Sequence, residues 1–118
     1  MTTAKPAMTD YAYTSAIDLG RAIAAKELSP VELMRDCLAR LDALEPQLNC
    51  FVTQTREVAL VAARLAERAV MAGETLGALH GVPISVKDLI AMGGVRQTFG
   101  SRTLASNMAA ADAPSVEG

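Results

Sequence analysis

Aromatic residues are almost missing from this chain. They make up 3% of 118 residues, with no tryptophan, two tyrosines and two phenylalanines. The chain is nevertheless 51% hydrophobic, much of it alanine. That composition excludes a disordered polymer, and it favours helices packed closely together over a large aromatic pocket. Histidine occurs once, at His80, so no multi-histidine metal cluster can be built from these residues. The two cysteines, Cys37 and Cys50, have neither metal-type spacing nor a CxxC pattern; they read as reduced thiols in a cytoplasmic protein. Neither GxxxxGK[ST] nor GxGxxG is present, so no nucleotide loop is indicated. No metal or organic cofactor is expected. The net charge is −2 with both signs mixed along the chain, and without a basic stripe direct nucleic-acid binding is not expected. No apolar run approaches the roughly 20 residues of a membrane span, and MTTAKPAMTDYA lacks the apolar core of a secretory signal. A cytoplasmic protein that does not enter the membrane is expected.

A chain of this length corresponds to one small domain with one core. Residues 1–13 read as a loose leader. A first helix is predicted from Thr14 or Ser15 to about Ala25, with Ala16, Leu19, Gly20 and Ile23 on one face. The clearest helix signal is SPVELMRDCLARLDALEP. Ser29 is a natural N-cap, Pro30 suits the first helical position, and Glu32 can close a capping box. Val31, Met34, Cys37, Leu38, Leu41 and Leu44 recur at helical spacing, and Pro46 is predicted to stop the helix. NCFVT, residues 49–53, reads as a short extended segment. A third helix is predicted from about Arg56 to Met71, with Val58, Val61, Ala62, Leu65 and Ala69 inward and Arg64, Glu67 and Arg68 outward. Gly73 is predicted to end it.

From Leu76 the pattern changes to a strand-like run, VPISVK, in which Ser85 and Lys87 share a face two residues apart. Lys87 is the residue that raises a chemical question. A lysine at a strand end is ordinarily a solvated side chain. A lysine deprived of water, however, can lose its proton and act as a base towards a serine hydroxyl. The residues alone leave both readings open. Asp88 reads either as a turn residue that orients the following loop by side-chain-to-backbone hydrogen bonds or as an ordinary strand terminator. His80 reads as a loop histidine before a turn. The segment around Gly93, Gly94, Gly100 and Ser101 is loop chemistry.

Taken together, LHGVPISVKDLIAMGGVRQTFGSRTLASN resembles the amidase signature family of serine hydrolases. The likeness rests on Gly81-Val82-Pro83, Val86-Lys87-Asp88, Gly94-Val95, Thr98, Gly100-Ser101 and Asp112-Ala113, and it extends upstream through SPVELMRDCLARLDALEPQLNCFVT. The resemblance implies an α/β fold in which a mixed sheet is layered with helices; this chain would hold the N-terminal helices and first short strands. It further implies hydrolysis of an amide C–N bond through an acyl-enzyme, on a Ser–cis-Ser–Lys triad in which Lys87 is the catalytic lysine. The family's two serines lie in a glycine- and serine-rich stretch resembling GGSSGGS, which also supplies the oxyanion-hole N–H groups. Ser85, Ser101, Ser106 and Ser115 do not sit in such a stretch, and none is assigned as nucleophile.

Residues 14–118 are therefore expected to be the N-terminal part of one amidase domain, cut before the nucleophile motif and inactive alone. The expected partner is a small-molecule amide substrate, with a homodimer of the full-length protein as one option. Two alternatives stand beside a free-standing amidase, to which the LHGVPISVKD and FGS wording is closer. One is the subunit of a glutamyl/aspartyl-tRNA amidotransferase that releases ammonia for transamidation of charged tRNA. The other is a non-catalytic helical interaction module presenting apolar helix faces.

Overall fold

The computed structural model describes residues 11–116. Residues 1–10 of the expected leader lie outside that range, and Tyr11 and Ala12 are helical. The chain divides into two compact units. One runs up to Asn49 and resumes over Thr55–Pro83; the other combines Cys50–Gln54 with the chain from Ile84 onwards.

Among the described residues, and besides the helical pair Tyr11 and Ala12, the first unit has three helices and a loop. Helix α1 is Ala16–Ala24, α2 is Pro30–Leu48 and α3 is Arg56–Met71. Ser15 caps α1 by accepting the Asp18 N–H at 3.1 Å. Leu19, Gly20 and Ile23 turn inward as their spacing predicts, while Ala16 is exposed. The helix closes with paired reverse bonds, Lys26 N–H to Ile23 O and Glu27 N–H to Ala22 O. Lys26 takes the left-handed conformation this motif needs, at φ 62°. Gly73 closes α3 in the same way, its own N–H bonding Val70 O and that of Glu74 bonding Ala69 O.

Ser29 caps α2 as predicted, accepting from the N–H groups of Val31 and Glu32 at 3.1 and 3.4 Å. Its hydroxyl proton goes to Glu67 Oε1 at 2.7 Å, which ties the start of α2 to α3. The predicted stop at Pro46 is not observed; α2 runs on to Leu48. So near the end of a helix, proline removes only the single bond that its missing N–H would have made to the carbonyl of Asp42. The final turn is completed by Asn49, left-handed at φ 47°, whose N–H reaches Glu45 O.

The core gathers Leu19, Ile23, Leu28, Leu33 and Val70, with Tyr11, Cys37, Leu76 and Val82 packed against it. Ile23 and Leu33 are the most deeply buried, at 0% and 1% exposure. Leu33 lies outside the stripe predicted for α2. The correction on α3 is larger. Its predicted inner residues Val58, Val61 and Leu65 are exposed, and Ala63 and Val70 are buried instead. The apolar arc of this helix is wide, so periodicity does not single out one line within it. The fold buries the edge of that arc that carries Ala63 and Val70, next to Glu67. Glu67, predicted to point outward, is half-buried and accepts the Ser29 hydroxyl.

Among the described residues the second unit has no regular element beyond a short 3₁₀ turn at Arg102–Leu104. The expected first strands of a mixed sheet are not formed: among the described residues the pairing is limited to an isolated antiparallel bridge, Arg96 with Met108. Neither 49–53 nor 82–87 has a ladder partner there, and an unpartnered apolar segment does not make a strand. The unit is held by polar bonds. Gln97 N–H bonds Asn107 O at 2.8 Å, Ala109 N–H bonds Val95 O and Ala113 N–H bonds Ala91 O. Asn107 Nδ2 returns to Gln97 O, and Gln97 Nε2 reaches Leu89 O at 3.1 Å. The guanidinium of Arg96 reaches Val52 O and Thr53 Oγ1, bringing 50–54 into this unit.

Candidate functional site

The candidate site lies in the second unit, where VPISVK runs into a turn. The Ile90 N–H bonds Lys87 O at 2.9 Å, so Lys87 opens that turn. Its side chain is exposed, as is that of Ser85. Asp88, the next residue, is bonded through both carboxylate oxygens. Its Oδ1 accepts the Thr98 N–H at 2.9 Å, and its Oδ2 accepts the Thr98 hydroxyl and, at 3.3 Å, the Gly100 N–H. Thr98 is 5% exposed, so its polar groups depend on these partners. The Thr98 bonds hold the Asp88 carboxyl below the usual carboxylate range, with a smaller contribution from Arg96. Of the two readings of Asp88, the loop-orienting one is realised.

The loop it holds is a tight turn closed by Ser101 N–H to Thr98 O at 2.9 Å. Both central residues have positive φ, Phe99 at 53° and Gly100 at 73°. Glycine adopts this conformation without cost, but a phenylalanine does so only where its surroundings enforce it. Asp88 bonds the residue on either side of Phe99, and so supplies that enforcement.

The remaining sequence candidates are placed apart from this cluster. Ser101 is half-buried and its hydroxyl pairs with Thr103 Oγ1 at 2.7 Å. Ser106, Ser115 and Arg102 are exposed. His80 belongs to the first unit, where Nε2 donates to Ala66 O at 2.9 Å and pins the loop to α3. Among the described residues no group of three or more His, Cys, Asp and Glu could hold a metal ion, and no helix is long and apolar enough to cross a membrane. Sequence reasoning missed Thr98 as the partner of Asp88. The available signal was the Thr-Phe-Gly-Ser run, whose glycine marks a turn that some nearby acceptor must anchor.

Comparison with known proteins bears on this segment directly. A family model described as amidase matches residues 32–118, which includes Lys87, Asp88 and the Thr98–Ser101 turn. The chain belongs to the amidase family. It is 46% identical over 98 residues to a glutamyl-tRNA(Gln) amidotransferase subunit of Chloroflexus aggregans, covering 83% of this chain and 20% of that protein. It is 38% identical over 105 residues to an acylamidase of Rhodococcus erythropolis, covering 89% of this chain and 22% of that protein. The corresponding amidotransferase subunit of Methylococcus capsulatus is 43% identical over 100 residues, covering 85% of this chain and 20% of that protein. The chain thus spans about a fifth of the length of these amidase-family relatives.

Proposed function

We propose that this chain is the N-terminal part of an amide hydrolase, in which Lys87 is the catalytic lysine of a Ser–cis-Ser–Lys triad. The match of the amidase family over residues 32–118 carries the reading, because it includes Lys87 within the VKD motif. Both serines belong to the glycine- and serine-rich stretch that follows in the family. In the reaction, the neutral Lys87 amine takes a proton from the middle serine, which takes one from the nucleophilic serine. The nucleophile attacks the amide carbonyl, the amine leaves with a returned proton, and water releases the acid from the acyl-enzyme. Backbone N–H groups of the same stretch stabilise the oxyanion.

A lysine serves as this base only when shielded from water, since its ordinary pKa is about 10.4. In this chain Lys87 is exposed, and its apolar neighbours Ile84 and Leu89 are 77% and 54% exposed. Apolar side chains uncovered on both flanks of the lysine support a segment that is covered, and desolvated, by further polypeptide in the working enzyme. The mixed sheet of the family fold would then form with partners from that polypeptide. The 118 residues alone are inactive on this reading.

A second reading is favoured by the names of several relatives: the component of a tRNA-dependent amidotransferase that releases ammonia for transamidation of charged tRNA. Reading the coding sequence past codon 118 and assaying the product separates the two. Ammonia release from simple aliphatic or aryl amides, abolished by Lys87→Ala, is the expected result. Ammonia release from glutamine alone, coupled to ATP and charged tRNA, selects the amidotransferase. A stop codon at that point, or turnover that survives Lys87→Ala, overturns the assignment of Lys87.

A further inference from the structure

We infer that Asp88 is a positioning residue for Lys87, fixing the turn that carries the lysine to the strained Thr98–Ser101 turn. The inference rests on the amide-hydrolase reading of Lys87 and adds a residue to it. Three observations converge. The first is connectivity: Asp88 directly follows Lys87, and the Lys87 carbonyl is itself held by the Ile90 N–H at 2.9 Å. The lysine backbone is therefore fixed from one side by its own turn and from the other by whatever Asp88 grips. The second is the grip. One carboxylate accepts from two backbone N–H groups and one hydroxyl, all from Thr98 and Gly100. A rotating surface aspartate has no such set of partners, and charge-assisted bonds are about twice as strong as neutral ones. The third is strain. Phe99, between the two gripped residues, sits at φ 53°, a conformation a bulky residue keeps only when over-determined.

Gln97 reinforces the arrangement. It is 9% exposed, and its side chain bonds Leu89 O at 3.1 Å. Residues 88 and 89 are thus bound to 97, 98 and 100 by side chains from both directions. The two turns behave as one body, and the Lys87 side chain starts from that body. Asp88 touches no substrate on this account; it acts through the lysine.

The test has two arms, so that this inference and the reading beneath it fail separately. In the 118-residue chain, Asp88→Ala is expected to speed amide hydrogen exchange at Thr98 and Gly100 on the order of tenfold or more, to shift the Lys87 amine resonance, and to leave exchange in α2 unchanged. Thr98→Val, which keeps the shape and removes the hydroxyl, is expected to do the same to a lesser degree. Unchanged exchange and an unchanged Lys87 resonance in both variants overturn the inference. In the product of the longer reading frame, Asp88→Ala is expected to lower kcat on the order of a hundredfold with KM little altered, and Asp88→Asn to recover part of it. Wild-type kcat in Asp88→Ala, where Lys87→Ala is dead, also overturns it. If the wild-type product hydrolyses no amide, or Lys87→Ala is fully active, the hydrolase reading fails instead. The exchange and resonance data then still decide whether Asp88 fixes Lys87.

Discussion

The carboxylate of Asp88 and the backbone N–H of Thr98, ten residues apart, meet at 2.9 Å. The bond is strongest to the ionised acceptor, and the Asp88 pKa is depressed from an ordinary 3.8, mainly by the Thr98 hydroxyl and N–H. A carboxyl with a lower pKa when folded contributes its stability above the ordinary value, and that contribution is lost as pH falls through the lower, folded one. The Thr98 and Gly100 amide resonances are therefore expected to move together as pH falls, with a midpoint below the ordinary carboxylate value. An NMR pH titration checks this; movement centred at or above the ordinary value would contradict the bonding described.

Gly20 gives a prediction about close approach. It sits inside α1, where alanine would normally gain about 1 kcal/mol of helix propensity. A Cβ at this position would lie 2.1 Å from the Ala78 carbonyl oxygen and 3.3 Å from its carbon. Both are backbone atoms and cannot swing away, so the loop has to move. Overpacking of this kind costs about 1–3 kcal/mol, which outweighs the propensity gain. Gly20→Ala is expected to lower the urea midpoint of the chain, and Ala22→Gly on the same helix serves as the propensity control.

How far the sequence was legible follows from the range of the forces involved. The Ser29 cap, Pro30 at the helix start and the Gly73 terminator are chemistry within one turn of chain, and all three are seen. Pro46 failed as a stop because the local rule carries no weight when a single bond near a helix end is at stake. The face of α3 was not legible. Its apolar residues cover a wide arc, and which edge of that arc is buried, the one with Ala63 and Val70 or the one with Val58, Val61 and Leu65, depends on what packs there. The strand expected at 82–87 is a matter of partners too, since a ladder is made by two segments. At the candidate site the motif around Lys87 was legible by resemblance. The grip of Asp88 on Thr98 was only half so: the sequence identified a turn-forming aspartate and left its partner open.

The two faces of the helices make opposite predictions for the same substitution. Leu33 is 1% exposed in the core and Leu65 is 57% exposed on the outer face of α3. Leu33→Ala removes buried methyl groups and leaves a cavity, at a cost of about 2–5 kcal/mol. Leu65→Ala removes surface already in water and is expected to change stability by no more than about 0.5 kcal/mol. Denaturant melts of the two variants of the 118-residue chain check the assignment. A large loss at Leu65 with little at Leu33 would restore the inward stripe read from periodicity.

Cysteine chemistry provides a last check, one that reads the first unit through a single atom. Cys37 packs against the core on α2, and Cys50 is exposed. Burial raises the Cys37 thiol pKa, Asp36 beside it raises it further, and Arg40 only partly opposes them. The thiolate is the species that reacts with a disulfide reagent. At a mildly alkaline pH Cys37 therefore has both a smaller reactive fraction and a blocked approach. Labelling with an aromatic disulfide is expected to be biphasic in the native chain, with Cys50 modified first and Cys37 more slowly. The two rates should draw together in denaturant, where burial no longer acts on Cys37. Replacing Cys50 with serine should remove the fast phase alone. Removal of the slow phase by that substitution would mean that α2 presents the opposite face to the core.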